Sequence, residues 1–360
     1  MKNYKEDWKN VLSPDSKYES IHLMRYMGTK SPLLDFIIPH IKQIVKKGGT
    51  ILDLMAGTHS IGYALKSQYR IFANDIQIYS FVVGKAIIEN NSVSISKKIA
   101  LPKLQKYFNE NMEKKKYNLF YKTYPDTYFS ENQCLEIDSL KYAIDKIKNK
   151  YEKALYLSAL IYSMCYAQST TGHFAQFLPK HHKRLIPLRK ISIWKTFLDK
   201  CDEIKIIFSP FENKVFNTDY KDFFKENFKD KLKGVDLIYL DPPYTDAQYS
   251  RFYHILETVV KYDYPEIQYM GRYRQDRFMS GFCSKSKASE EFEFIIKKSS
   301  ELDKPLIISY SNKGVVSKEE ILSIAKKYFK NVNLYEREYS HSMQGKGNSS
   351  VNEVLYICKN

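Results

Sequence analysis

Short apolar runs recur in the first quarter of the chain and again in its last third. Thr50-Ile-Leu-Asp-Leu54 and Arg70-Ile-Phe-Ala73 come early, and Lys214-Val-Phe-Asn217, Val235–Leu240, Pro305–Tyr310, Val332–Tyr335 and Glu353–Cys358 come late. Continuous apolar stretches of this length predict strands buried on both faces. Segments with helical spacing separate most of them, at Ile61–Gln68, Tyr79–Asn90, Lys221–Phe228, Ser286–Ser299 and Ser317–Tyr328. Alternating strands and helices predict an α/β fold with a doubly wound, mainly parallel, Rossmann-like sheet. The last two runs flank Gly345-Lys-Gly-Asn-Ser-Ser350 and predict an antiparallel hairpin at one sheet edge.

The alternation stops between about Ser92 and Glu203, where the periodic parts, Leu140–Lys150 and Ala154–Tyr166, are helical. This stretch carries too many apolar residues for disorder, so it predicts an inserted, mostly α-helical subdomain. The expected division is residues 1–91 and 204–360 for a catalytic domain and 92–203 for the insertion.

Composition adds a partner class. The 360 residues hold 57 Lys+Arg against 41 Asp+Glu, a net charge of +16, which favours a polyanion through counterion release. Aromatic residues make up 15% of the chain, including 30 Tyr and 21 Phe, and supply stacking surfaces between the cations, as nucleic acid requires. The longest apolar-leaning run, Ala154–Ala167, is too short to span a bilayer, and the first residues lack the apolar core of a signal peptide. Five scattered cysteines with no CxxC pair read as reduced thiols in a cytoplasmic protein, with no metal site; His181-His182 fits a basic loop.

Candidate chemistry concentrates at Asp241-Pro-Pro-Tyr244, directly after the run Val235–Leu240. The exocyclic amine of a nucleobase is a poor nucleophile because its lone pair is delocalised into the ring. A carboxylate at Asp241 and the carbonyl of Pro242 can each accept one N–H and draw the nitrogen towards tetrahedral geometry. Pro242 and Pro243 have fixed φ and hold those carbonyls in place, and the Tyr244 ring can stack on the base. The same four residues also suit a plain strand-ending turn, so context decides. A loop at the carboxyl end of a parallel strand is where open α/β sheets place their sites.

Ile51-Leu-Asp-Leu-Met-Ala-Gly-Thr-His-Ser-Ile-Gly62 predicts a strand, a glycine turn and a helix start, with Gly57 letting the backbone pass close to a ligand. Asp75 follows the next strand, about where such folds set an acid on ribose hydroxyls. Upstream, Tyr26-Met-Gly-Thr-Lys30 precedes Ser31, a candidate helix cap, and Pro32; Lys30 can pair a ligand carboxylate.

The order Tyr26-Met-Gly-Thr-Lys30, Asp53-Leu-Met-Ala-Gly57, Asp75, Asp219 and Asp241-Pro-Pro-Tyr244 resembles the Dam-like (D12 class) N6-adenine-specific DNA methyltransferases. The resemblance spans both sheet halves. It implies S-adenosylmethionine as methyl donor, held by the loop of Asp53, Ala56, Gly57 and Thr58, with Tyr26, Gly28 and Lys30 near its methionine end. It also implies Asp75 on the ribose and Asp219 on the adenine amine. Two departures bear on cofactor contact: Met55 replaces an aromatic residue and His59 replaces a second glycine, and the usual aromatic-Ala-Gly-Gly-Lys is altered to Tyr26–Lys30. Histidine tolerates positive φ better than most residues, so the turn is expected to survive.

The segment Thr245–His254 is polar, aromatic and basic, a candidate lid over an extruded base, with Tyr249 and Arg251 as substrate contacts. In the insertion, Thr170–Arg184 mixes Lys, Arg, His, Gln and Phe around Gly and Pro; His173, Lys180, Lys183 and Arg184 are expected to meet DNA. A second basic cluster, Gly271–Arg277 with Lys285 and Lys287, adds Arg272, and Ser309–Asn312 is a candidate pocket wall. The expectation is a site-specific methyltransferase that acts on adenine N6 in double-stranded DNA after the base leaves the stack. RNA N6 methylation, DNA N4-cytosine methylation and a non-catalytic nucleic-acid-binding module are the alternatives, and whether a cognate restriction endonuclease accompanies the protein stays open.

Overall fold

The computed structural model describes Tyr18, residues 28–339 and residues 351–360. Among the described residues nine strands form: β1 (Thr50–Asp53), β2 (Arg70–Asn74), β3 (Lys214–Phe216), β4 (Leu237–Leu240), β5 (Ile267–Gln268), β6 (Tyr273–Arg274), β7 (Leu306–Ser311), β8 (Asn331–Tyr339) and β9 (Val351–Lys359). Seven of them make one sheet in the order β3-β2-β1-β4-β7-β9-β8, and β5 and β6 form a separate two-stranded ribbon. β3, β2, β1, β4 and β7 run parallel, while β9 is antiparallel to both β7 and β8. Strand order reverses between β1 and β4, and this switch point opens a crevice at the carboxyl ends of the strands. The predicted strands and the edge pair are all present; the turn 345–350 lies outside the described residues.

Period-two alternation divides the sheet residues between two cores. Ile51, Ile71, Leu237, Tyr239 and Ile307 face one cluster, and Leu52, Ile238, Leu240, Leu306 and Ile308 face the other. The first face carries α1 (Leu34–Ile44), α2 (Ser60–Leu65) and α3 (Ile78–Gly84). α3 continues as a single widened turn over Lys85–Glu89, and the buried Lys66 ammonium donates to the carbonyls of Ile87 (3.0 Å) and Asn90 (2.9 Å) released there. Burial brings Lys66 down to about 8.

Residues 97–203 form α4 (Lys97–Lys114), α5 (Leu119–Thr123), α6 (Glu131–Ile144), α7 (Lys150–Ala167), α8 (Leu185–Arg189) and α9 (Ile193–Glu203). α7 is apolar on all sides and buried from Ala154 to Cys165, and its core is continuous with the one under the sheet. The expected helix Leu140–Lys150 is two pieces. α6 stops at Ile144, and Asn149 starts α7 by accepting the N–H groups of Tyr151 and Glu152. Nor does Ser31 cap a helix: its hydroxyl lies 3.1 Å from Ser60 Oγ, and a 3-10 turn over Ser31–Leu33 leads into α1.

The remaining helices are α10 (Lys229–Lys233), α11 (Tyr249–Phe252), α12 (His254–Lys261), α13 (Ala288–Glu301) and α14 (Lys318–Tyr328). α13 and α14 cover the second face. Lys221–Phe228, expected as one helix, is two 3-10 turns, Tyr220–Phe224 and Glu226–Phe228. Among the described residues no helix is long and apolar enough to cross a membrane.

Candidate active site

The loop after β1 is shaped by backbone bonds to both neighbouring strands. Leu54 N–H donates to Tyr239 O of β4 at 3.0 Å, and Ala56 N–H to Asn74 O of β2 at 2.8 Å. Gly57 then takes φ 51°, its N–H donating to Asp75 Oδ2 (2.9 Å) while its carbonyl accepts from Ser80 Oγ (2.7 Å). Asp75 Oδ1 also accepts Gln77 N–H at 2.8 Å. Burial nevertheless pushes this carboxyl up to about 6.

His59 adopts φ 61°, the left-handed conformation a glycine would take with less strain, and precedes α2. Its imidazole is buried with Nε2 2.8 Å from Ser80 O, and burial lowers it to about 4, so the neutral ring donates through Nε2. Gly84 makes room for it: a Cβ there would sit 2.6 Å from His59 Cε1. The side chain replacing a loop glycine is thus a packing element behind the loop.

One cleft opens at the switch point. Its first lobe is formed by Leu54, Met55 and Gly57 after β1, Asn74–Gln77 at and after the end of β2, and Thr218–Tyr220 after β3. Asp219 caps the 3-10 turn beside it by accepting Lys221 N–H at 2.9 Å. The second lobe is formed by Gly28, Asp241–Tyr244, Gln248–Ser250, Phe278 and Ser280. Gly28 has φ 77°, and a Cβ on it would come within 3.1 Å of the Tyr249 hydroxyl.

Asp241 follows β4 and anchors a buried polar cluster. Lys30 Nζ lies 2.6 Å from Asp241 Oδ1 and 3.5 Å from Glu353 Oε1, and it also contacts the Tyr244 hydroxyl. Tyr244 Oη donates to Asp241 Oδ1 (2.9 Å) and lies 3.3 Å from Glu353 Oε1, which also accepts from Ser309 Oγ. The Tyr244 ring meets Tyr310 in a T-shaped contact, centroids 5.3 Å apart, and Tyr310 meets Phe292 at 5.0 Å. Burial pushes Asp241 up to about 7, against the pull of Lys30 and with the Glu353 charge adding to the rise. Asp53, sealed at the end of β1, is raised well above the usual carboxylate range by burial and then by Asp241 and Asp75.

The structure therefore brings together Gly28, Gly57, Asp75, Asp219, Asp241, Pro242, Pro243, Tyr244 and Tyr249 on one cleft. Lys30, Asp53 and Ala56 are buried and Thr58 is half-buried, none of them among the residues that line the cleft, and Tyr26 lies outside the described residues. Ser309 and Tyr310 support the wall from behind. Arg251 is exposed and lies over the Tyr273 ring at 5.2 Å, with Arg277 over the same ring at 5.0 Å. His173 is half-buried against Phe252, while Lys180 and Lys183 are exposed and Arg184 half-buried in the loop before α8. Arg272 turns its guanidinium inward, to the carbonyls of Thr123 and Pro125. Arg274 of the same basic cluster is buried between Asp263 and Asp276.

The chain matches a known family over most of its length. The family model described as D12 class N6 adenine-specific DNA methyltransferase matches residues 26–328. The chain belongs to that class. Methyl-donor chemistry follows for a DNA methyltransferase family. Among curated relatives, the modification methylase LlaI of Lactococcus lactis subsp. lactis is 30% identical over 94% of this chain and 55% of its own length. The type II methyltransferase M.FokI of Planomicrobium okeanokoites is 30% identical over 85% of this chain and 47% of its own. The type II methyltransferase M2.HphI of Haemophilus parahaemolyticus is 25% identical over 96% and 98%. The chain spans about half the length of the first two.

Several residues of this site went unnoticed in the sequence. Ile76 and Gln77 continue the Asp75 loop, and Phe278 and Ser280 follow the second basic cluster; neither pair carries a motif. Glu353 did leave a signal, as the lone acid within the buried strand run Glu353–Cys358. Among the described residues no group of three or more His, Cys, Asp or Glu side chains is arranged to hold a metal.

Proposed function

We propose that this chain transfers a methyl group from S-adenosylmethionine to the N6 amine of an adenine extruded from duplex DNA. The observation that carries the reading is one cleft at the strand switch with Asp75 and Asp219 in one lobe and Asp241–Tyr244 in the other. The first lobe suits the donor. Asp75 offers acceptors to vicinal ribose hydroxyls, Asp219 to an adenine amine, and Met55, Ile76 and Tyr220 apolar walls to the ring. Gly57 and Gly28 allow close backbone approach, and buried Lys30, behind Gly28, sets a positive charge on the side of the donor's carboxylate while staying paired within the cluster at Asp241. The bound donor supplies an electrophilic methyl on a sulfonium.

The chain's own residues do the rest. Asp241 and the Pro242 carbonyl accept the two N–H groups of the amine and orient its lone pair. Tyr244, its plane fixed by Tyr310, offers a ring face to the base. Positioning and orientation supply much of the rate, so no metal and no strong dedicated base are needed. We assign residues 92–203 to target recognition and residues 1–91 with 204–360 to catalysis. His173, Lys180, Lys183, Arg184 and Arg251 are the expected contacts to DNA, whereas the inward guanidinium of Arg272 serves the fold. The modification methylases among its relatives support a restriction endonuclease as partner in the cell.

Methyl incorporation tests the reading. The protein and Asp241→Ala are incubated with S-adenosylmethionine and, separately, unmethylated duplex DNA or cellular RNA, and the digested nucleosides are analysed by mass spectrometry. N6-methyladenine in DNA, absent with the variant while donor binding survives, is the expected result. Methylation confined to RNA, or to cytosine, would overturn the substrate assignment.

A further inference from the structure

Glu353 belongs to none of the motifs that define the site. It lies on β9, and β7 separates that strand from β4. In register it pairs with Ser311 of β7 and Arg337 of β8, yet its carboxylate reaches the cluster at Asp241. The residue is 2% exposed, and an unpaired carboxylate there would be very costly. It accepts from the Ser309 hydroxyl, lies 3.3 Å from the Tyr244 oxygen and faces the Lys30 ammonium.

Lys30 does not need this second anion as a static partner, because Asp241 Oδ1 already holds it at 2.6 Å. With Asp53 nearby, three acids surround a single ammonium. That excess makes physical sense if Asp241 must be released to another donor. Moving Lys30 Nζ from Asp241 at 2.6 Å towards Glu353, now at 3.5 Å, needs a displacement on the order of 1 Å; Tyr244 Oη, at 2.9 and 3.3 Å, needs less.

Building on the methyl-transfer reading above, we propose that Glu353 is a positioning residue: the alternative acceptor for Lys30 and Tyr244 that frees Asp241 for the amine of the extruded base. When the amine engages Asp241, the ammonium and the phenol shift to Glu353 and stay paired. Without Glu353 the nearest carboxylate left to both is Asp241, and the substrate must compete with them at Oδ1.

The test uses the full chain, duplex DNA and saturating S-adenosylmethionine, with Glu353→Gln and Glu353→Asp. Asp241 is faced by Lys30 before α1, Asp53 of β1, Tyr239 and Tyr244 of β4 and its loop, Tyr249 of α11 and Glu353 of β9. Removing the Glu353 charge favours the ionised form of Asp241, so the acid limb of kcat/KM shifts to lower pH in the Gln variant. Its kcat falls about 10- to 100-fold while the donor Kd stays within about threefold, and Glu353→Asp restores part of kcat. Wild-type kcat in the Gln variant would overturn the proposal. So would a uniform loss with an unmoved acid limb that follows a drop in melting temperature, the mark of a purely structural residue. If the Gln variant does not accumulate, Ser309→Ala loosens the Glu353 carboxylate without changing charge: lower kcat at unchanged melting temperature supports the proposal, and unchanged kcat refutes it. Wild-type protein inactive on every nucleic acid would instead sink the methyl-transfer reading itself.

Discussion

Lys30→Met removes one charge and little volume from the centre of the site, and the structure gives its consequence a sign. Lys30 and Asp241 are both largely buried, and their closest atoms lie 2.6 Å apart. At an effective dielectric of about 20 that pair attraction is about 6 kcal/mol, an upper bound because water and neighbouring groups relax when the cation is lost. Loss of a cation at this range typically raises a carboxyl by about 1–3 pH units. Asp241 already stands at about 7, raised by burial and held down by Lys30. In the variant it rises further, and at neutral pH the ionised fraction falls roughly 5- to 500-fold. The carboxylate is the form that accepts the amine, so methyl transfer falls by that factor near pH 7 and recovers as pH is raised towards 10. The assay is initial-rate methylation of duplex DNA across pH 6–10 at saturating donor, with donor affinity measured separately by calorimetry. An acid limb that stays in place beneath a uniformly lower rate would refute the reasoning. Lys30 would then act on donor binding or folding alone. The shift is opposite in direction to that expected of Glu353→Gln, so the two variants check each other.

Asp138→Ala tests the helical half: Asp138 is fully buried and accepts the N–H groups of Phe120 (3.0 Å) and Tyr121 (2.8 Å) and the Tyr262 hydroxyl. Stranding the buried Phe120 N–H and the part-buried Tyr121 N–H is expected to cost about 2–4 kcal/mol in urea unfolding, and a loss under about 0.5 kcal/mol would contradict it. Arg251→Ala is expected to weaken DNA binding similarly across sequences and to flatten the plot of log affinity against log salt by about 0.9, the signature of one phosphate contact; an unchanged slope would remove Arg251 from the interface.

Much of the fold was legible because its strands are short, apolar and bounded by turn residues. Val235–Leu240 and Pro305–Tyr310 could hardly be anything but buried strands; β4 lies within the first, and β7 begins in the second and runs on to Ser311. Where local geometry was at stake the pattern said less. Helical spacing over Leu140–Lys150 did not register that Asn149 caps a new helix, and Lys221–Phe228 tightened into 3-10 turns. The stretch 92–203 read as an inserted, mostly α-helical subdomain; what no local pattern showed is that its core runs into the one beneath the sheet, through α7, which is buried along most of its length and packs against α3.

The sequence by itself determined the strand-and-helix alternation, the motif order and the position of Asp241–Tyr244 after a buried strand, since periodicity and proline chemistry act over a few residues. Only the tertiary structure decided which charges meet. Lys30 and Asp241 are 211 positions apart in the chain, and Glu353 reaches Tyr244 across 109. Arg272 and Arg274, basic in composition, were spent inside the fold on carbonyls and carboxylates that no local pattern reveals. Pairing of buried charge depends on what the sheet brings within a few ångströms at low dielectric, a quantity set by strand order and register rather than by neighbours in sequence.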